Sequence, residues 1–149
     1  MKLAASCVLF LLSGFLAVGA SAAEYRSVAG RYGVCYDLPQ EGSKKLAIAS
    51  QGLPLEVIFE HEKFVKVRDS NGRMSWMEKT ALSKTRRMLI VTVPLADIHL
   101  AAGVESAVLF RVAQNVLLEL KQNTDTGWLE VRHPDGLTGF IKSTEVWGE

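Results

Sequence analysis

The second half of the chain repeats a pattern found in the first half, and an internal repeat constrains a fold more than local propensity does. Residues 64–82 align with residues 128–146 without a gap, at an offset of 64 residues. An aromatic residue, the pair Val-Arg, an Asn-Gly or Asp-Gly dipeptide and a second aromatic residue occur at matching positions. Upstream, the match continues with a shift of one residue. The repeat predicts two modules, residues 24–83 and 84–149, with a very short junction.

Each module consists of short segments with the period of a β-strand. FVKVR, WLEVR, MSWME and TGFIK alternate in polarity, whereas LEVIF and VLLEL alternate or are largely apolar. Asn-Gly and Asp-Gly, at residues 71–72 and 135–136, favour tight hairpins between the last two of these strands. Residues 105–120 have helix-forming residues, but their repeat partner contains Gly52 and Pro54, which would interrupt a helix. The sequence therefore predicts an all-β protein.

The N-terminus has the order of a secretory signal peptide. Lys2 precedes a long apolar run, and small residues follow it. We predict that residues 1–23 are the signal peptide, with cleavage after Ala22 or Ala23, and that the mature protein is periplasmic or secreted. Because the apolar run is shorter than the roughly 20 residues of a spanning helix, we expect no integral membrane segment after cleavage.

Charge and cysteine content exclude several classes of protein. Cleavage of the signal peptide removes Lys2, which lowers the number of basic residues from 17 to 16, equal to the 16 acidic residues. The sequence has no stripe of Lys and Arg, so we expect no nucleic-acid partner. Cys7 lies in the predicted signal peptide, so Cys35 has no intramolecular disulfide partner. We predict that Cys35 is a small buried apolar residue, and the alternative is a thiol that pairs with another chain.

No spacing in the sequence predicts catalysis, a metal or a cofactor. His61 lies between two glutamates, but adjacent side chains on a strand point apart, and no Cys-x-x-Cys or His-Glu-x-x-His motif is present. His133 precedes Pro134 and is interpreted as a turn residue. The chain lacks a Gly-x-Ser-x-Gly elbow. A small cell-wall hydrolase, with a histidine beside Cys35 or with paired acids, is the less favoured alternative.

The order of these segments resembles the bacterial SH3-like domain, SH3b, in two tandem copies. The first module carries GVCYDLPQ, GLPLEV and KFVKVRDSNGRMSWMEKTAL, and the second carries DIHLAAG, NVLLEL and TGWLEVRHPDGLTGFIKSTEV. The resemblance covers essentially the whole mature chain. It implies two small, five-stranded, partly open β-barrels that bind rather than catalyse. Family members are associated with peptidoglycan or with protein partners in the envelope.

The resemblance also implies candidate binding residues. VCYD resembles the ALYD segment of eukaryotic SH3 domains, whose tyrosine lines a groove for proline-rich peptides, so Tyr36 takes that role with Asp37 beside it. Phe64 and Trp128 fall at the position of the groove tryptophan. The proline and tyrosine that complete the groove are replaced in both modules, so recognition of polyproline II peptides is not expected.

We predict an exported binding protein whose ligand is a peptidoglycan peptide or an envelope protein, with a structural or accessory subunit of an envelope complex as the alternative. Tyr36, Phe64 and Trp128 are expected to form shallow exposed platforms. Polar contacts to the ligand are expected from Asp37, His61, His99 and Arg132.

Other recurring residues are interpreted as structural. Arg68 and Arg132 recur at the same place and are candidates to bind a carboxylate or to pair with an acid on the next strand. The recurrence favours a shared structural role. Alternation places Trp76 and Phe140 in the core. Phe59 is a candidate surface aromatic, but the core or the contact between the modules is its favoured place.

Overall fold

The computed structural model describes residues 22–149, which form two antiparallel β-sheets. All but the last two residues of the predicted signal peptide lie outside the described part. The first sheet contains β1 (Glu24–Val28), β2 (Tyr32–Tyr36), β3 (Lys45–Ser50), β4 (Pro54–His61), β5 (Phe64–Arg68), β6 (Met74–Glu78) and β7 (Leu82–Ser83). The second contains β8 (Met88–Val91), β9 (Leu95–His99), β10 (Val108–Ala113), β11 (Leu117–Asn123), β12 (Trp128–Arg132), β13 (Thr138–Lys142) and β14 (Val146–Trp147).

Helical structure in residues 22–149 is limited to two single 3-10 turns, Lys79–Ala81 and Ser143–Glu145, each just before the last strand of its sheet. This described part holds no helix with the length and apolarity needed to cross a bilayer.

The two sheets have the same topology. Their strand orders are β3-β2-β6-β5-β4-β1-β7 and β10-β9-β13-β12-β11-β8-β14, which correspond strand by strand. The prediction of an all-β fold with two SH3-like copies is confirmed. Each sheet has seven strands rather than five. In the first sheet, the opening strand β1 pairs with the two-residue strand β7, and these two strands add to the expected number. In the second sheet, β8 and β14 pair in the same way.

Each sheet encloses its own hydrophobic core. In the first, Val65, Val67 and Met77 are at most 1% exposed, and period-two alternation on β5 and β6 places them on one face. The full cluster is Val28, Cys35, Ala49, Leu55, Val65, Val67, Met77 and Leu82. The second cluster is Leu89, Val91, Ala96, Ile98, Val112, Leu118, Leu120, Leu129, Val131, Ile141 and Val146. Burial of Cys35 was predicted and is confirmed.

The prediction that Trp76 and Phe140 are core residues is wrong. Both are half-buried, and the next residues, Met77 and Ile141, are fully buried in their place. Each segment has two apolar residues in succession, so alternation leaves its phase open, and a shift of one residue exchanges the two faces of a strand.

The hairpins predicted from Asn-Gly and Asp-Gly are present between β5 and β6 and between β12 and β13. Gly72 and Gly136 close them with φ of 80° and 97°, a region in which residues with a Cβ are strained. Gly72 N–H donates to the carbonyl of Asp69, and Gly136 N–H donates to that of His133, both at 2.9 Å.

The modules contact each other directly. The rings of Tyr25 and Trp147 pack edge to face with centroids 5.1 Å apart. The hydroxyl of Ser27 donates to the carbonyl of Arg86 at 2.7 Å. These contacts join the opening strand of the first sheet to the junction and to the last strand of the second.

Candidate functional site

Tyr36 and Phe64 meet on the outer face of the first sheet. Tyr36 ends β2 opposite Trp76 of β6, whereas Phe64 begins β5. The two rings pack edge to face with centroids 6.0 Å apart. Phe64 is only 5% exposed, so the prediction that its ring forms an exposed platform is wrong. Tyr36 is half-buried and supplies the accessible aromatic edge.

Two grooves lie on this surface. The larger, of about 500 Å³, is lined by Glu41, Glu62, Lys63, Phe64, Glu78, Lys79 and Thr80. The smaller, of about 130 Å³, is lined by Tyr32, Gly33, Val34, Tyr36, Glu78 and Ala81. Glu78 lines both grooves, so the two adjoin. Together they are called here the Tyr36 site, defined by Tyr32, Tyr36, Phe64 and Glu78.

The rim of the larger groove carries charges of both signs. Lys63 and Glu41 form a solvent-exposed ion pair at 3.5 Å, a kind of pair that contributes little stability. Within residues 22–149, Glu62 and Glu78 form no ion pair. The groove therefore presents two unpaired carboxylates and a weakly held lysine above the buried ring of Phe64.

A salt-bridge cluster adjoins this rim. Glu60 accepts hydrogen bonds from Lys79, at 2.8 Å, and from Arg26, which is 4% exposed and also bonds Glu24. Hydrogen bonds first from Lys79 and then from Arg26 lower the pKa of Glu60 to about 2. The cluster fixes Lys79, which also lines the larger groove.

Asp37 and His61 lie near the Tyr36 site without lining either groove. Asp37 is exposed, and its backbone N–H donates to the carbonyl of Lys44 at 3.1 Å. His61 is exposed at the end of β4, and its ring centroid lies 6.4 Å from that of Trp76 and 6.5 Å from that of Phe59. On the neighbouring strand, His61 lies opposite Phe64.

An outer aromatic patch of Phe59, His61 and Trp76 was missed by sequence reasoning. Phe59 is 56% exposed, so its expected place in the core or between the modules is wrong. Lys66 Nζ lies 5.8 Å from the ring centroid of Trp76. The period-two spacing of Phe59 and His61 in β4 was a signal that the two share a face.

Two of the three candidate residues of the second module, His99 and Trp128, are buried. His99 and Trp128 are 7% and 8% exposed, and their rings pack edge to face at 5.0 Å. His99 Nδ1 lies 2.9 Å from the carbonyl oxygen of Ser106, which can only accept, so Nδ1 carries the proton. The prediction that Trp128 is an exposed platform is wrong, because this histidine packs against it.

The recurring arginines differ between the modules. Arg68 forms a 2.5 Å ion pair with Glu56 on the neighbouring strand, as expected. Arg132 is exposed and lies opposite Glu119, but Glu119 contacts Lys121, at 3.5 Å. The arginine pairing is therefore seen in the first module, whereas Arg132 forms no ion pair within residues 22–149.

Cys35 lines a different groove, beside Asp69 and Arg73, and no histidine is among the residues that line it. Residues 22–149 contain no group of three or more His, Cys, Asp or Glu side chains placed to hold a metal ion.

Two solved structures resemble the chain at low similarity. NlpC1 from Trichomonas vaginalis aligns with a TM-score of 0.40 and 10% identity, over 89% of this chain and 48% of that one. NlpC2 from the same organism aligns with a TM-score of 0.40 and 13% identity, over 86% and 49%. The chain thus spans about half the length of these proteins. No curated protein matches its sequence.

The family model of the bacterial SH3 domain matches the sequence twice, at residues 29–84 and 96–148. Such domains are of a binding type, commonly bind the cell wall, and are typically extracellular or periplasmic. The two matches cover most of the chain and correspond to the two sheets of identical strand order. The chain belongs to the bacterial SH3 domain family, with two copies in tandem.

Proposed function

We propose that the protein is an exported, non-catalytic binding module of the cell envelope, and that the Tyr36 site binds the peptide stems of peptidoglycan. The observation that carries this proposal is the groove of about 500 Å³ beside Phe64, with acidic and basic side chains on its rim. Its volume lies in the range typical of small-ligand sites. Export is supported by the signal-like N-terminus and by the usual location of the family.

The chemistry of a peptide stem matches this rim. A stem carries free carboxylates and, at its diamino acid, an ammonium group. The carboxylates of Glu62 and Glu78 can accept hydrogen bonds from the ammonium, and Lys63 can donate to a stem carboxylate. The rings of Phe64 and Tyr36 supply apolar contact for short aliphatic side chains.

The test is co-sedimentation of the mature protein with purified sacculi at low salt. We expect retention of the wild type and weaker retention of Tyr36→Ala and Glu78→Lys. Glu78→Lys introduces the residue that the second module has at the equivalent position, Lys142. The matched control is Lys142→Glu, which makes the reverse exchange in the second module and is expected to retain wild-type binding.

The outcomes separate the alternatives. If the wild type is not retained at low salt, peptidoglycan is excluded as the ligand. The remaining alternatives are that the protein binds an envelope protein, or that it is an accessory subunit of an envelope complex. If Tyr36→Ala and Glu78→Lys are retained as well as the wild type, peptidoglycan binds at a place other than the Tyr36 site. Release of soluble muropeptides during the incubation would contradict a non-catalytic role and favour a hydrolase.

A further inference from the structure

The two modules differ in the side chains that the edge strands β3 and β10 direct inward. Ala47 of β3 lies opposite Cys35, and Phe110 of β10 lies opposite Ile98. Since Cys35 and Ile98 belong to the two cores, Ala47 and Phe110 are equivalent inward-facing positions. The first module thus has a methyl group where the second has a phenyl ring.

The same contrast recurs two residues along each strand. Ala49 of β3 lies opposite Gly33, whereas Val112 of β10 lies opposite Ala96. Both inward positions of β3, and the two residues opposite them on β2, are therefore smaller than their counterparts in the second module.

The smaller side chains leave a groove in the first module. It has a volume of about 460 Å³ and is lined by Cys35, Leu46, Ala47, Ile48, Ala49, Leu53, Leu55, Asp69, Arg73, Met74 and Ser75. In the second module, Phe110 is half-buried and packs against the hydrophobic core. The scaffold itself shows that an aromatic ring fits at this position when the chain supplies one.

The strand beside the groove is free to pair. β3 lies at the end of its sheet, and β2 is the strand it pairs with in residues 22–149. Its apolar side chains are accessible, with Ile48 73% and Leu46 50% exposed. An exposed, apolar edge strand offers a row of unpaired backbone groups to an extended peptide.

The groove is bordered by positive charge. Lys44 and Lys45 are exposed at the start of β3, and the side chain of Arg73 on the groove is 79% exposed. Asp69 is the acidic residue of the lining, and it is paired with Arg73 at 2.9 Å. Acidic residues that flank the inserted ring would complement the lysines.

We propose that the first module binds an extended, acidic segment of a partner protein along β3, and that an aromatic side chain of this segment enters the groove above Cys35. The segment supplies in trans the ring that Phe110 supplies in cis in the second module. This site lies on the inner face and edge of β3, whereas the Tyr36 site lies on the outer face of β2, so neither depends on the other.

The probe is the peptide acetyl-Glu-Thr-Phe-Thr-Glu-amide, titrated into the isotope-labelled mature protein and followed by NMR. We expect amide shifts at Cys35, Ala47, Ala49 and Leu55. The control peptide with Ala in place of Phe should bind at least about tenfold more weakly, because it buries no ring.

Exchanging residues between the modules tests the groove itself. Ala47→Phe fills the groove and should weaken binding of the Phe peptide about tenfold or more. Ala49→Val, a smaller change, tests the same point if Ala47→Phe does not fold. Conversely, Phe110→Ala should open a weaker site in the second module, because Ala107 and Val108 replace Lys44 and Lys45 there. Phe110→Leu, which keeps a large side chain, should open no such site.

Two results would overturn the proposal. One is the absence of shifts at Cys35, Ala47 and Ala49 in the folded wild type at saturating peptide. The other is wild-type affinity in both Ala47→Phe and Ala49→Val. Shifts confined to Tyr36 and Glu78 count as the first result and would assign the peptide to the Tyr36 site.

Discussion

The two modules share strand order and register but differ in what they expose. Tyr36 is half-buried and lines the smaller groove, whereas its counterpart His99 is buried against Trp128 and bonded to a backbone carbonyl. Glu78 on the rim of both grooves corresponds to Lys142. The comparison teaches that the repeated pattern encodes the scaffold, and that the candidate sites arise where the first module departs from the second.

The outer aromatic patch follows the same rule. Phe59 lies opposite Lys66, and at the equivalent place Gln122 lies opposite Glu130. The second module therefore has a polar surface where the first exposes an aromatic ring beside a lysine. Both differences place the candidate ligand contacts in the first module.

The largest effect is expected from the shared core. Met77 and Ile141 occupy equivalent positions and are both fully buried. Met77→Ala and Ile141→Ala should each lower the free energy of unfolding of their own module by about 2–5 kcal/mol, because each leaves a cavity. Urea unfolding followed by residue-resolved hydrogen exchange would measure both modules in each variant.

Each variant is the control for the other. Met77→Ala should leave the exchange of the second core unchanged, and Ile141→Ala should leave that of the first. An equal loss in both modules from either variant would show that the contact between Tyr25 and Trp147 couples them into one cooperative unit.

The fold was predictable because its signals are local and occur twice. Hairpin dipeptides, alternating strands and the repeat each indicate the topology without knowledge of distant contacts. Which residues of β6 and β13 face the core was not predictable, because Trp76-Met77 and Phe140-Ile141 are each two apolar residues in succession.

The candidate site was predicted in part. Tyr36 was identified through its sequence context, and it does line a groove. Burial of Phe64 depends on Tyr36 from another strand, and burial of Trp128 depends on His99. Such packing between distant segments leaves no periodic signal. The charged lining from Glu62 and Glu78 was missed because it converges only in the folded chain.

An intermediate effect is expected at the hairpin glycines. Gly72→Ala and Gly136→Ala should each cost about 1–2 kcal/mol of unfolding free energy, because φ of 80° and 97° disfavours a residue with a Cβ. No atom would lie within 4 Å of a Cβ on Gly72, so the cost there comes from the backbone alone. Thermal unfolding of both variants provides the measurement.

Gly103→Ala is the matched control for these two. Gly103 also has open space around its Cβ position but no positive φ, so its substitution should leave the melting temperature close to that of the wild type. Equal melting temperatures for Gly72→Ala and Gly103→Ala would contradict the assignment of the cost to backbone strain.

The smallest effect is expected from protonation of Glu60, which belongs to the first module. Glu60 corresponds to Asn123, and its partner Arg26 corresponds to Leu89, so the second module lacks this cluster. Lys79 and Arg26 lower the pKa of Glu60 from 4.5 to about 2 in the folded state. The stabilisation is therefore complete above the unfolded pKa and is lost as the pH falls towards 2.

Urea unfolding of the first module between about pH 6 and pH 2 tests this dependence. Glu60→Gln should be less stable than the wild type at pH 6, and the difference should shrink as the pH approaches 2, when the wild-type carboxyl becomes protonated. Glu62→Gln, two residues away and without an ion pair in residues 22–149, should follow the wild-type curve. A difference between wild type and Glu60→Gln that stays constant with pH would mean that packing, and not the carboxylate charge, is what Glu60 contributes.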